Sequence, residues 1–159
     1  MTLPLATTHR PISTTGLIIP AGGFIYANAL VVATITVPNV GSGGTDAALT
    51  LQLYQLDGVT PITEARQVII AGSTARYVMA TPSSTLSFAT ATTGTIKYAG
   101  SGYALIETNA SGAFACTAAN SADETLYFKA ISPPSVAAAD VLKAAVVVGC
   151  NEDSAAWSA

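Results

Sequence analysis

Charge is scarce in this sequence: 9% of its 159 residues are Asp, Glu, Lys or Arg, against about 25% in an ordinary soluble domain. Its six basic residues, Arg10, Arg66, Arg76, Lys97, Lys129 and Lys143, stand singly, and the net charge is −3. Without a basic stripe there is nothing to release counterions from a phosphate backbone, so direct nucleic-acid binding is not expected. Histidine is nearly absent. The one copy, His9, lies beside Arg10 and Pro11 with no Gly-x-Ser-x-Gly nucleophile elbow near it, so no Ser-His-Asp or Cys-His set is expected and the chain reads as non-enzymatic. Two cysteines and one histidine leave no closed tetrahedral set for zinc. No cofactor is expected.

Long apolar runs are missing too. The richest stretch, Phe24 to Val37, is interrupted by Asn28, Thr34 and Thr36 and ended by Pro38, short of the 18 or so residues a membrane-spanning helix needs. The N-terminus lacks the basic start and unbroken apolar core of a signal peptide. The expectation is therefore a chain made in the cytoplasm of its host with no membrane partner. Without a secretion signal, Cys116 and Cys150 are expected as buried thiols, a disulfide requiring two late strands to be neighbours.

What is present is alternation. Ala29, Val31, Ala33, Ile35 and Val37 share one face of a run whose other face carries Asn28, Thr34 and Thr36, and Leu49, Leu51 and Leu53 alternate with Thr50, Gln52 and Tyr54. This is the period of a half-buried strand. Further runs at Gln67–Ala71, Arg76–Ala80, Thr85–Thr92, Tyr103–Thr108, Ala113–Ala118, Thr125–Ile131 and Ala144–Cys150 bring the count to about nine, separated by turn residues such as Asp57-Gly58, Gly100-Ser-Gly102 and Asn109-Ala-Ser-Gly112. The fold class that follows is all-β, an antiparallel β-sandwich or jelly roll of about nine strands, because such strands must bury one face against a second sheet. One short helix is allowed at Ser135–Lys143 after Pro133-Pro134.

The ends differ from the middle. Residues 1–23 carry Pro4, Pro11 and Pro20 and read as an extended N-terminal arm, residues 24–150 as the sandwich domain, and residues 151–159 as a short polar tail with the sole tryptophan. Leu3, Leu5, His9, Ile12, Leu17 and Trp157 are the candidates for a subunit interface. Half the residues are apolar, so with little charge outside, solubility rests on Thr, Ser, Asn and Gln, and such a surface can be desolvated without stranding ions. The acid pairs Asp123-Glu124 and Glu152-Asp153 could supply calcium ligands only if their loops met, and they lack the spacing of a twelve-residue calcium loop; solvated carboxylates are the simpler reading. Tyr77, Tyr98, Tyr103 and Trp157 are the aromatics available to a sugar-binding platform, with packing the favoured reading.

From Gly102 to Phe128 the sequence runs strand, tight turn, strand, loop, strand: Gly-Tyr-Ala-Leu-Ile-Glu-Thr-Asn-Ala-Ser-Gly-Ala-Phe-Ala-Cys-Thr-Ala-Ala-Asn-Ser-Ala-Asp-Glu-Thr-Leu-Tyr-Phe. In its Ala/Thr/Ser richness and low charge this last third resembles the accessory structural proteins of tailed bacteriophages, especially capsid decoration (cementing) proteins. The resemblance implies a virion protein that binds the major capsid protein or another virion protein, as a homo-oligomer, often a trimer with extended termini, and no catalytic residues. A second reading is a binding module of the adhesin or carbohydrate-recognition kind at a phage tail or cell surface.

Overall fold

The computed structural model describes residues 30–76, 81–133 and 143–158. They form ten strands: β1 Leu30–Thr36, β2 Asp46–Tyr54, β3 Gln67–Ser73, β4 Leu86–Thr93, β5 Thr95–Gly100, β6 Tyr103–Glu107, β7 Ala113–Asn120, β8 Thr125–Ile131, β9 Val146–Asn151 and β10 Asp153–Ala156. Sheet I has the order β4-β7-β2-β1-β9 and sheet II the order β10-β8-β3-β6-β5. The expected β-sandwich is what forms. Two strands, β5 and β10, were not anticipated. The expected strand at Arg76–Ala80 and the helix at Ser135–Lys143 fall almost wholly outside the described residues.

The alternation read from the sequence is what fills the space between the sheets. Val31, Ala33 and Ile35 of β1 and Leu49, Leu51 and Leu53 of β2 are buried, opposite Val68 and Ile70 of β3, Ile106 of β6 and Leu126 and Phe128 of β8. Gly72 stands on the inward side of β3, where a Cβ would come within 2.5 Å of Leu86 and 3.1 Å of Phe128. The missing side chain lets Phe128 fill the centre, edge-on to Phe88 at 6.5 Å between ring centroids.

All strand pairs are antiparallel except one. β1 and β9 run parallel, with Leu30 opposite Val146 and Ala33 opposite Cys150, which corrects the purely antiparallel expectation. β9 is reached from β8 over residues 132–145 and so enters sheet I free of the hairpin geometry that would fix its direction. The Asp57-Gly58 turn does reverse the chain, but into a single bridge, Tyr54 to Pro61, after which the chain leaves for sheet II.

Both flanks of the sandwich are closed by strands that change sheets. β4, the edge of sheet I, passes through Gly94 into β5, the edge of sheet II; β9 passes through Glu152 into β10 on the opposite flank. Corners of this kind are made by bulges. The β4–β7 pairing slips between Ala89 and Thr93, with Thr90 at φ 47°, and the β5–β6 pairing slips between Ile96 and Tyr98. The edges are thereby blunted against further pairing: β4 and β5 are bulged, β5 carries Lys97, β9 has its Val147 N–H donating to Ser132 Oγ at 2.9 Å, and β10 has four residues.

Gly94 takes φ +74°, and a Cβ there would meet the Glu107 carbonyl oxygen at 2.5 Å and the Phe114 ring at 2.9 Å. Neither a positive φ nor a backbone clash can be relieved by a side-chain rotation. Gly94→Ala is expected to lower stability by about 2 kcal/mol or more, whereas Gly41→Ala, with nothing within 4 Å of its Cβ, changes it little. Thermal melting of the two variants by circular dichroism checks the contrast; equal melting temperatures would refute it.

Candidate interaction surfaces

Of the candidate interface residues, Leu3, Leu5, His9, Ile12 and Leu17 lie outside the described residues. Trp157 does not face a neighbour. It is 2% exposed, its ring 6.0 Å from that of Phe128, and its indole N–H donates to the Thr45 carbonyl at 2.9 Å. It is a core residue, and the polar tail before it is a strand.

What holds that strand is a corner the sequence did not announce. Where β9 leaves β1, the Asn151 side chain takes over the ladder: Ile35 N–H donates to Asn151 Oδ1 at 2.7 Å and Asn151 Nδ2 donates back to Ile35 O at 3.3 Å. Two residues on, Asp153 Oδ2 accepts from Val37 N–H at 2.8 Å. Asn39 Oδ1 then accepts from Ala156 N–H, and Val40 N–H donates to Ala156 O. Side chains thus satisfy the backbone of β1 while the chain crosses between sheets. Asn and Asp are read as loop residues in a sequence, so nothing local marks this role.

The two acid pairs belong to separate networks. Glu124 Oε1 accepts from Ser83 Oγ and Thr85 Oγ1, each at 2.8 Å, and from Asn120 Nδ2 at 3.2 Å. This oxygen lines an open cleft of about 290 Å³ with Thr74, Ser83, Ser84 and Thr85, but its hydrogen bonds tie the loop before β4 to the β7–β8 turn. Glu152 lies 4.0 Å from Lys129. Among the described residues no group of three or more His, Cys, Asp or Glu side chains gathers as metal ligands.

The cysteines are free thiols. β7 and β9 are separated in sheet I by β2 and β1, so Cys116 and Cys150 stand about 14 Å apart by strand spacing alone, twice the reach of a disulfide. Burial pushes the Cys116 thiol up to about 12 and is also the main cause raising that of Cys150.

The outer faces of the two sheets contrast. That of sheet I presents Thr34, Thr50, Gln52, Ala115 and Thr117 together with Tyr54 and the exposed Val148, and the only charged residue in its five strands is Asp46, at the rim. That of sheet II carries ions and tyrosines. Lys97 and Lys143 both reach Glu107 Oε2, at 3.3 and 3.8 Å; Gln67 Nε2 donates to the same oxygen. Burial alone would raise the Glu107 pKa, but this amide and the two ammonium groups outweigh it and hold it below the usual range. Arg76 lies over the Tyr127 ring. Tyr98, 57% exposed, packs against Tyr103 at 6.0 Å, and their hydrogen bond raises the Tyr103 hydroxyl. Tyr77 is outside the described residues and Trp157 is buried, so among the described residues this pair is what remains of the aromatic platform. No protein-family model matches the chain, and no curated protein matches it in sequence.

A third exposed feature is the turn after β2. Asp57 Oδ1 accepts from Val59 N–H and Thr60 N–H, and its Oδ2 from the Thr60 hydroxyl, fixing a loop that displays Val59 at 76% exposure. The Thr60 hydroxyl, then the two backbone N–H groups, hold the Asp57 carboxyl below the usual aspartate range. Its contribution to loop order is therefore complete above the ordinary aspartate pKa and is lost as the pH falls through the lower folded value. Amide exchange of Val59 and Thr60 should accelerate there relative to the β2 amides, and no change on acidification would contradict the assignment. For the thiols, a disulfide-exchange reagent at pH 8 should label neither Cys116 nor Cys150 in the native protein and both in denaturant; an intact mass two hydrogens light would contradict it.

Proposed function

We propose that this chain is a non-enzymatic virion structural protein of the capsid decoration or stabilising kind, which oligomerises and binds neighbouring coat subunits. The observation that carries the reading is the outer face of sheet I, where strands β4, β7, β2, β1 and β9 lie side by side with Asp46 as their only charged residue. Covering such a face inside its Asp46 rim removes no ion from water, and small Ala, Thr and Ser side chains lose little rotamer entropy when covered. The blunted edges favour contacts through faces over extension of a sheet. Residues 1–23, with Leu3, Leu5, Ile12 and Leu17 among three prolines, lie outside the described residues.

The experiment is immunogold electron microscopy, with antibodies to this chain, on particles released from the cells that encode it. Labelled heads are the expected result. Label confined to the soluble fraction, with no chain in purified particles by mass spectrometry, would overturn the reading.

A further inference from the structure

The charges of the body are few but sorted. On the outer side of sheet II stand Arg76, Lys97, Lys129 and Lys143, with Glu107 and Glu152 between them, a surplus of two positive charges. The rest of the described residues hold one cation, Arg66, against Asp46, Asp57, Glu64, Asp123, Glu124 and Asp153, a surplus of five negative ones. In a chain with so little charge, four of five described cations on one face is a strong bias.

Three of the carboxylates share one end of the sandwich. Trp157 donates its backbone N–H to Glu124 O and its indole N–H to Thr45 O, which brings the β7–β8 turn, with Asp123 and Glu124, beside Asp46. None of the three is in an ion pair with another described residue. Asp46 and Asp123 are exposed. The sheet II face has the composition of a contact surface as well as the charge, since Tyr98, Tyr103, Tyr127 and Leu105 lie among its cations, and aromatic residues are enriched at interface cores.

We infer that the outer face of sheet II docks on the acidic end, Asp46, Asp123 and Glu124, of a second copy of this chain. The two surfaces differ, so the contact is head-to-tail, and copies joined this way form a closed ring where the rotation between neighbours closes and an open filament where it does not. The inference rests on the assembly reading and deepens it: the charged face serves contacts between copies and leaves the face of sheet I, charged only at its Asp46 rim, for the shell. Electrostatic matching of this sort sets register and association rate and is sensitive to salt.

Light scattering with analytical ultracentrifugation tests it on the full chain. The wild type should form a ring or a longer head-to-tail oligomer at about 0.01 M salt and dissociate toward about 1 M, where screening shortens from about 30 Å to about 3 Å. Asp46→Lys with Asp123→Lys, or Lys97→Glu with Lys143→Glu, should each weaken association roughly a hundredfold, about tenfold per reversed charge. All four changes in one chain should restore it. Unchanged oligomers in both double variants, with wild-type melting temperatures, would overturn the inference. If a variant fails to fold, the salt dependence of the wild type decides: an oligomer indifferent to salt overturns it. A wild type monomeric at low salt but labelled on virion heads would also overturn it while leaving the virion role standing; a salt-sensitive ring or head-to-tail oligomer absent from virions would support it and remove that role.

Discussion

The sandwich depends on how β1 is finished. β1 lies inside sheet I, and its partner β9 leaves before β1 ends, so the last backbone groups of the strand would be stranded at a covered flank. The amide of Asn151 and the carboxylate of Asp153 take their places, each with a bond of 2.7–2.8 Å to a backbone N–H. Leaving such groups unpaired would cost about 1–3 kcal/mol apiece. Because those two side chains sit on the residues that carry the chain from sheet I to sheet II, satisfying β1 and joining the sheets are one event. The strand that follows delivers Trp157 against Phe128, a burial whose loss typically costs about 3–5 kcal/mol.

The opposite flank solves the same problem by a different means. There β4 turns into β5 through a bulge and a glycine whose φ and surroundings admit no side chain. Closure on both flanks leaves edges that are short, bulged or capped, and the broad surfaces of the described residues are the two sheet faces and the ends. Scarcity of charge then matters: where few ions exist, their placement divides the surface into a neutral face, a basic and aromatic face, and an acidic end.

Parts of this could be read directly. Val31, Ala33, Ile35, Leu49, Leu51 and Leu53 show their buried side by period alone, because a strand between water and a core must alternate. Asp57-Gly58 marks a reversal because aspartate caps and glycine adopts positive φ. β5 was hidden: Thr95-Ile-Lys-Tyr follows a glycine that ends one run by the usual rules, and only the corner makes it a continuation. β10, Asp153-Ser-Ala-Ala, has no β propensity worth reading and is a strand because β8 offers it a partner. Trp157 was misplaced for the same reason, since a tryptophan after polar residues near a terminus looks exposed until the strand before it is seen to pair.

The sequence by itself determined the all-β class and the buried faces of the long strands, because these follow from period-2 alternation. Only the tertiary structure decided the parallel pairing of β1 with β9, the separation of the two thiols, the burial of Trp157 and the sorting of charge between faces. Each of those depends on which distant segments become neighbours, and that is settled by sheet order and by the two strands that cross between sheets.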